Sequence, residues 1–241
     1  MIRTYILKFN PMNAIVYMLL TVVALSCSNS EKSTDVVPSS AEFTYLALGD
    51  SYTIGESVSA TENFPFQLQD SLSQSLNENG SYKIIATTGW TTSDLLSAIE
   101  RENPSSDYDL VTLLIGVNNQ YQGKPFSIYE REFPLLLDQA IAFAKGNVNS
   151  VIVVSIPDYA FTPFGQSTSN PENISEEIDR YNAFAKQTAA QKGVAYQNIT
   201  DITRQGLTDP DLVAGDGLHP SGKAYKLFVD RLFAKAKQAV D

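Results

Sequence analysis

The sequence predicts an α/β fold, a three-layer α/β/α sandwich with a central, mostly parallel sheet of about five strands. Short apolar runs rich in β-branched and aromatic residues alternate with segments of helical period from Phe43 to the end of the chain. The first of these runs, Phe43 to Leu48, looks like a buried parallel strand. Several of them end on glycine followed by polar residues, and the carboxyl ends of parallel strands are where ligands bind in such sheets. At 241 residues, 43% hydrophobic and 18% charged, the chain suffices for one domain with a full core, and no repeat is visible.

Phe43 to Leu48 reads as the first strand, ended by Gly49-Asp50-Ser51. Apolar residues at 64, 68, 72 and 76 then define a helix from Phe64 to Leu76, closed by Asn79-Gly80. Tyr82 to Ala86 is the second strand, followed by Gly89 and Trp90, and a helix runs from about Ser93 to Arg101. Leu110 to Ile115, the most hydrophobic strand, ends at Gly116-Val117-Asn118-Asn119. Ser127 to Ala144 has helical character, but Pro134 inside it implies a kink or a break into two pieces. Val151 to Ile156 is the fourth strand, closed by Pro157-Asp158. The loop from Tyr159 to Asn173 is long enough to suggest a binding loop. Ile174 to Lys192 is a helix capped by Gly193, Val194 to Gln197 the fifth strand, and Ser221 to Val240 the last helix, with Pro220 suited to its first position.

The first 26 residues read as an export signal. Arg3 and Lys8 form a positive start, and the apolar run Ala14 to Leu25 is too short for a comfortable membrane span. The run ends in Ala24-Leu25-Ser26-Cys27, which is similar to the lipobox of bacterial lipoproteins, with Ala24 where Leu is commoner and Leu25 one place late. That resemblance implies a lipid anchor on Cys27 and residence in the bacterial cell envelope; the bland reading is a chance cysteine at the end of an ordinary signal. Residues 27 to 41 are Ser-rich without apolar period and read as a flexible tether, so the folded domain spans 42 to 241. Cys27 is the only cysteine, which excludes an internal disulfide and a CxxC or zinc constellation. Removal of the leader leaves 15 Lys and Arg against 27 Asp and Glu, a formal charge of −12 that repels phosphate backbones and sets nucleic-acid partners aside.

His219 is the only histidine, and it follows Asp216 by three positions. A carboxylate on Nδ1 leaves the Nε2 of an imidazole free to take a proton, the arrangement a general base needs. Gly217 between them allows a tight turn. Alone, Asp216-Gly217-Leu218-His219-Pro220 also fits a helix-capping Asp beside a surface His. Walker A, HExxH, GxGxxG and the GxSxG elbow are all absent, and no cofactor is called for. Ala47-Leu48-Gly49-Asp50-Ser51, Gly89, Ile115-Gly116-Val117-Asn118 and Asp216-Gly217-Leu218-His219-Pro220, in that order, resemble the four blocks of the SGNH or GDSL hydrolase family.

The resemblance covers most of the chain after residue 42 and implies a flavodoxin-like sandwich carrying a serine esterase site. Ser51 would be the nucleophile, His219 the base and then the acid, and Asp216 the group that orients the imidazole. The N–H groups of Ser51 and Gly89 and the amide of Asn118 would form the oxyanion hole, with glycine at 89 keeping a side chain out of the way. As isolated residues, Gly89 and Asn118 also read as ordinary turn positions. Asp50 reads as a structural ligand of turn amides. Asn119 stands where the family usually has Asp, which implies altered bonding around the site rather than lost chemistry. Trp90, Tyr121, Tyr159, Phe161 and Phe164 follow strand ends and either wall the cleft or pack the core. The expected substrate is a small ester or acylated glycan, with a carbohydrate O-acyl or short-chain ester favoured. A lysophospholipase or thioesterase of the family, and a non-catalytic lipid-anchored glycan binder on the same fold, are the rival readings.

Overall fold

The computed structural model describes residues 42–241; the leader, Cys27 and the tether lie outside them. Five strands alternate with nine α-helices among the described residues. They are β1 Glu42–Gly49, α1 Ser51–Ile54, α2 Phe64–Leu76, β2 Asn79–Ala86, α3 Thr92–Glu102, β3 Leu110–Leu114, α4 Val117–Tyr121 and α5 Phe126–Phe143, then β4 Val151–Val154, α6 Pro163–Gln166, α7 Pro171–Gln191, β5 Ala195–Gln197, α8 Thr200–Thr203 and α9 Gly222–Val240. The sheet order is β2-β1-β3-β4-β5, and every pairing is parallel. Strand order reverses beside β1, so the crevice at the carboxyl ends of β1 and β3 is the topological switch point.

All five residues of β3 are buried, as are all four of β4, because helices cover both faces. α2 and α9 pack together on one side, while α3, α5 and α7 are neighbours in the other layer. Leu46, Leu48, Leu113 and Val153 from the sheet join Leu68, Leu72, Leu136, Leu137, Phe228 and Leu232 from the helices in one core. Each buried Leu or Phe contributes about 1.5–3 kcal/mol.

Four local expectations change. Pro134 neither breaks nor divides α5, which runs without interruption from Phe126 to Phe143. Tyr129 and Phe133 before the proline and Leu136, Leu137 and Ala140 after it are all buried, and their packing outweighs the roughly 3 kcal/mol that an internal proline costs. Asn79-Gly80 opens β2 rather than closing α2; the helix ends at Leu76, with Asn77 in the left-handed conformation (φ 56°) as its cap. Pro220 lies before α9 and bridges to Val213, while Ser221 is the N-cap, accepting from the N–H of Ala224. The segment after Tyr159 is also less irregular than expected: a 3-10 turn at Tyr159–Phe161 and α6 occupy it before α7 begins at Pro171.

Candidate active site

Ser51 is the first residue of α1, delivered by the carboxyl end of β1. Asp50 caps that turn, accepting from the N–H of Tyr52 at 3.0 Å, and is completely buried. Burial pushes the Asp50 carboxyl up to about 7, with the Tyr52 N–H and the Asn118 amide partly opposing the rise. Asp50 thus bonds a turn amide beside the nucleophile position. His219 reaches Ser51 from the other end of the chain: its Nε2 lies 3.0 Å from Ser51 Oγ, and its Nδ1 lies 2.6 Å from Asp216 Oδ2. Gly217, at φ +73°, makes the turn between the carboxylate and the ring. The ring of Tyr52 packs on the imidazole at 5.0 Å between centroids, and both side chains are buried.

Asp216 holds the imidazole and is itself held. Its Oδ1 accepts from the N–H groups of Leu218 and His219, at 2.9 and 3.0 Å, and its Oδ2 accepts from Ser57 Oγ at 2.6 Å besides the ring. Burial alone would raise this carboxyl, but the Ser57, His219 and backbone donors more than offset it and keep the group well below the usual carboxylate range. An ionised Asp216 fixes the proton of the neutral ring on Nδ1 and points the Nε2 lone pair at Ser51. Such a line can take the hydroxyl proton as oxygen attacks an electrophile.

Ser51, Gly89 and Asn118 line one open cleft of about 220 Å3, together with Tyr52, Thr88, Val117, Tyr121, Tyr159, Phe164, Leu218 and His219. Asn118 Nδ2 donates to the carbonyl of Trp90 at 3.1 Å, and its contact to Asp50 Oδ2 is a long 3.5 Å, so one amide hydrogen is weakly engaged. Among the described residues no cluster of His, Cys, Asp and Glu could hold a metal ion.

Residues 47–227, well over half of the chain, match the model of the GDSL-like lipase/acylhydrolase family. The chain belongs to that family. It is thus a GDSL hydrolase, an enzyme of the carboxylic ester hydrolase class. Solved structures share its fold at low identity. The lipase/acylhydrolase of Enterococcus faecalis superposes with a TM-score of 0.62 at 18% identity, over 81% of this chain and 96% of that one. An acetyl xylan esterase from Geobacillus stearothermophilus gives 0.58 at 17% identity, over 80% and 94%. The secreted effector protein SseJ of Salmonella typhimurium is 27% identical over 99 residues, but the match spans only 39% of this chain and 23% of that protein.

The GDSL hydrolase differs from the sequence reading in several particulars. Of the five aromatics, Tyr121, Tyr159 and Phe164 line the cleft, with ring centroids 5.9 to 6.4 Å apart. Trp90 and Phe161 pack against the core instead; Trp90 serves the site through its carbonyl. A Cβ at Gly89 would meet no protein atom within 4 Å, and the backbone there has φ +83°, a conformation that favours glycine. Asn119 is fully buried, and its amide accepts from the N–H of Thr92 and donates to Thr92 Oγ1, which donates on to Glu132. Val117 and Leu218, inside two of the motif blocks, also line the cleft, whereas Thr88 in its wall and Ser57 behind Asp216 carry no motif that sequence inspection could single out.

Proposed function

We propose that this chain cleaves neutral carboxylic esters through an acyl-enzyme on Ser51, with carbohydrate O-acyl or other short-chain esters as substrates. The observation that carries the reading is the continuous line from Ser51 Oγ through His219 to Asp216, opening on the cleft that Asn118 and Gly89 also line. Ser51 Oγ attacks the carbonyl carbon while its proton passes to His219 Nε2. The N–H groups of Ser51 and Gly89 and the amide of Asn118 receive the negative oxygen of the tetrahedral intermediate. His219 then gives the proton to the departing alcohol, and water repeats the sequence to release the acid.

Size and charge support the substrate class. A cleft of about 220 Å3 lies below the roughly 300–1,000 Å3 of sites that take drug-sized ligands, which suits a short acyl group. Tyr121, Tyr159 and Phe164 offer flat apolar faces to a sugar ring. The lining contains no Lys or Arg, and Glu56, paired with Thr88 Oγ1, stands at the rim, which disfavours anionic lysophospholipids and acyl thioesters of anionic carriers. One structural neighbour is an acetyl xylan esterase. The same reading includes export and a lipid anchor on Cys27 in the cell envelope, supported by the leader sequence. Hydrolysis of p-nitrophenyl esters of rising chain length, run beside acetylated xylan, tests the assignment: rates should be highest at two to four carbons, and a maximum at long chains would transfer the site to lipid esters.

A further inference from the structure

From the hydrogen bonds around Asp216 we infer that Ser57 is a positioning residue for the His219–Asp216 pair, a fourth member of the proton line rather than a surface serine. The inference rests on the esterase reading of Ser51. Ser57 is exposed and stands six residues after Ser51, yet its hydroxyl donates across 159 positions of sequence to the same Asp216 oxygen that receives the imidazole N–H, at 2.6 Å. Its backbone has φ +67°, a conformation that glycine or asparagine adopts at lower cost. The segment that bears it is fixed on both sides. Gly55 and Glu56 donate their N–H groups to the carbonyl of Ser51, and the Glu56 carboxylate accepts from Thr88 Oγ1 beside Gly89. The strained serine thus sits on a strap joining the nucleophile turn to the carboxylate behind the base.

The physical consequence concerns the orientation of Asp216. The two backbone N–H groups hold one carboxylate oxygen. Ser57 fixes the other, so that rotation about the Cβ–Cγ bond cannot carry Oδ2 away from the ring. Without the hydroxyl, water replaces one donor, since about 30% of the Asp216 side chain is exposed, and the carboxylate gains freedom to turn.

Ser57→Gly separates positioning from packing, because glycine relieves the positive φ while removing the donor. The variant should melt at or above the wild-type temperature and yet lose kcat on p-nitrophenyl acetate by about three- to tenfold, the equivalent of one net hydrogen bond, with KM within twofold. In an Asp216→Ala background the same substitution should change kcat by less than about twofold, since the acceptor it serves is gone. The Nδ1 proton of the single histidine, followed by NMR, should broaden or shift in Ser57→Gly. Wild-type kcat in Ser57→Gly, or an equal loss in both backgrounds, overturns the positioning role while leaving the esterase reading standing. A wild-type protein that neither turns over esters nor reacts with a fluorophosphonate overturns both.

Discussion

Two buried amides and one buried carboxyl set the residue scale. Asn118 faces the cleft, and Asn118→Ala should lower kcat by about 10² to 10³ with KM little changed, the range for one lost oxyanion donor; steady-state kinetics on p-nitrophenyl acetate checks this. Asn119, its neighbour, should behave differently. Its Nδ2 donates to Thr92 Oγ1, whose own hydrogen is committed to Glu132. Asn119→Asp, which restores the family pattern, would remove that donor and bring a second carboxyl to a dry network. Burial would raise the new carboxyl, so the fold should lose stability increasingly as pH rises, measurable as a melting temperature that falls between about pH 5 and 8. Asp50 gives the same sign in the native protein. Its folded pKa is raised to about 7, above the unfolded value of about 3.9. Its contribution is therefore fully present below about pH 4 and lost as pH climbs through about 7. Asp50→Asn keeps the N-cap and should flatten that slope, stabilising the protein more at pH 8 than at pH 4; an unchanged slope in thermal melts would reject the assignment. Sequence alone exposes Ser51, Asp216 and His219 because chemistry restricts their residue types. Ser57 and Thr88 stay hidden because what they do follows from two loops meeting in space.

Among the elements, α7 shows how a polar side chain locks a helix to the sheet. Asn182 of α7 accepts from the N–H of Ile156 at 2.8 Å and donates to the Ile156 carbonyl and Thr200 Oγ1 at 3.1 and 3.0 Å. It thereby satisfies the chain where β4 runs out. Asn182→Ala would orphan buried backbone groups and should cost about 2–4 kcal/mol in urea unfolding, whereas Asn198→Ala, at the more exposed end of the same network, should cost less. Asp158 plays a similar part under the aromatic wall, accepting from Ala160 N–H, Ser175 Oγ and Arg204 Nε. Strand positions were legible because continuous apolar runs have few alternatives. Helix ends and Pro134 were less so, since a cap or a proline is a local signal and the packing on either side of it decides the outcome.

For the whole molecule, the match over residues 47–227 fixes the family and the parallel sheet its architecture, while export and anchoring remain proposals drawn from the leader. Cys27→Ala should release the protein from the membrane fraction, and full retention in that variant would reject the anchor. The central claim is that Ser51 is the nucleophile and that His219 activates it. Its most direct test is mass-spectrometric mapping of a fluorophosphonate adduct on wild type and on His219→Ala. The account predicts a single adduct on Ser51 in the wild type, forming at least about 10³ times more slowly once the imidazole is gone. No adduct, an adduct on a different serine, or equal rates in the two proteins would contradict it.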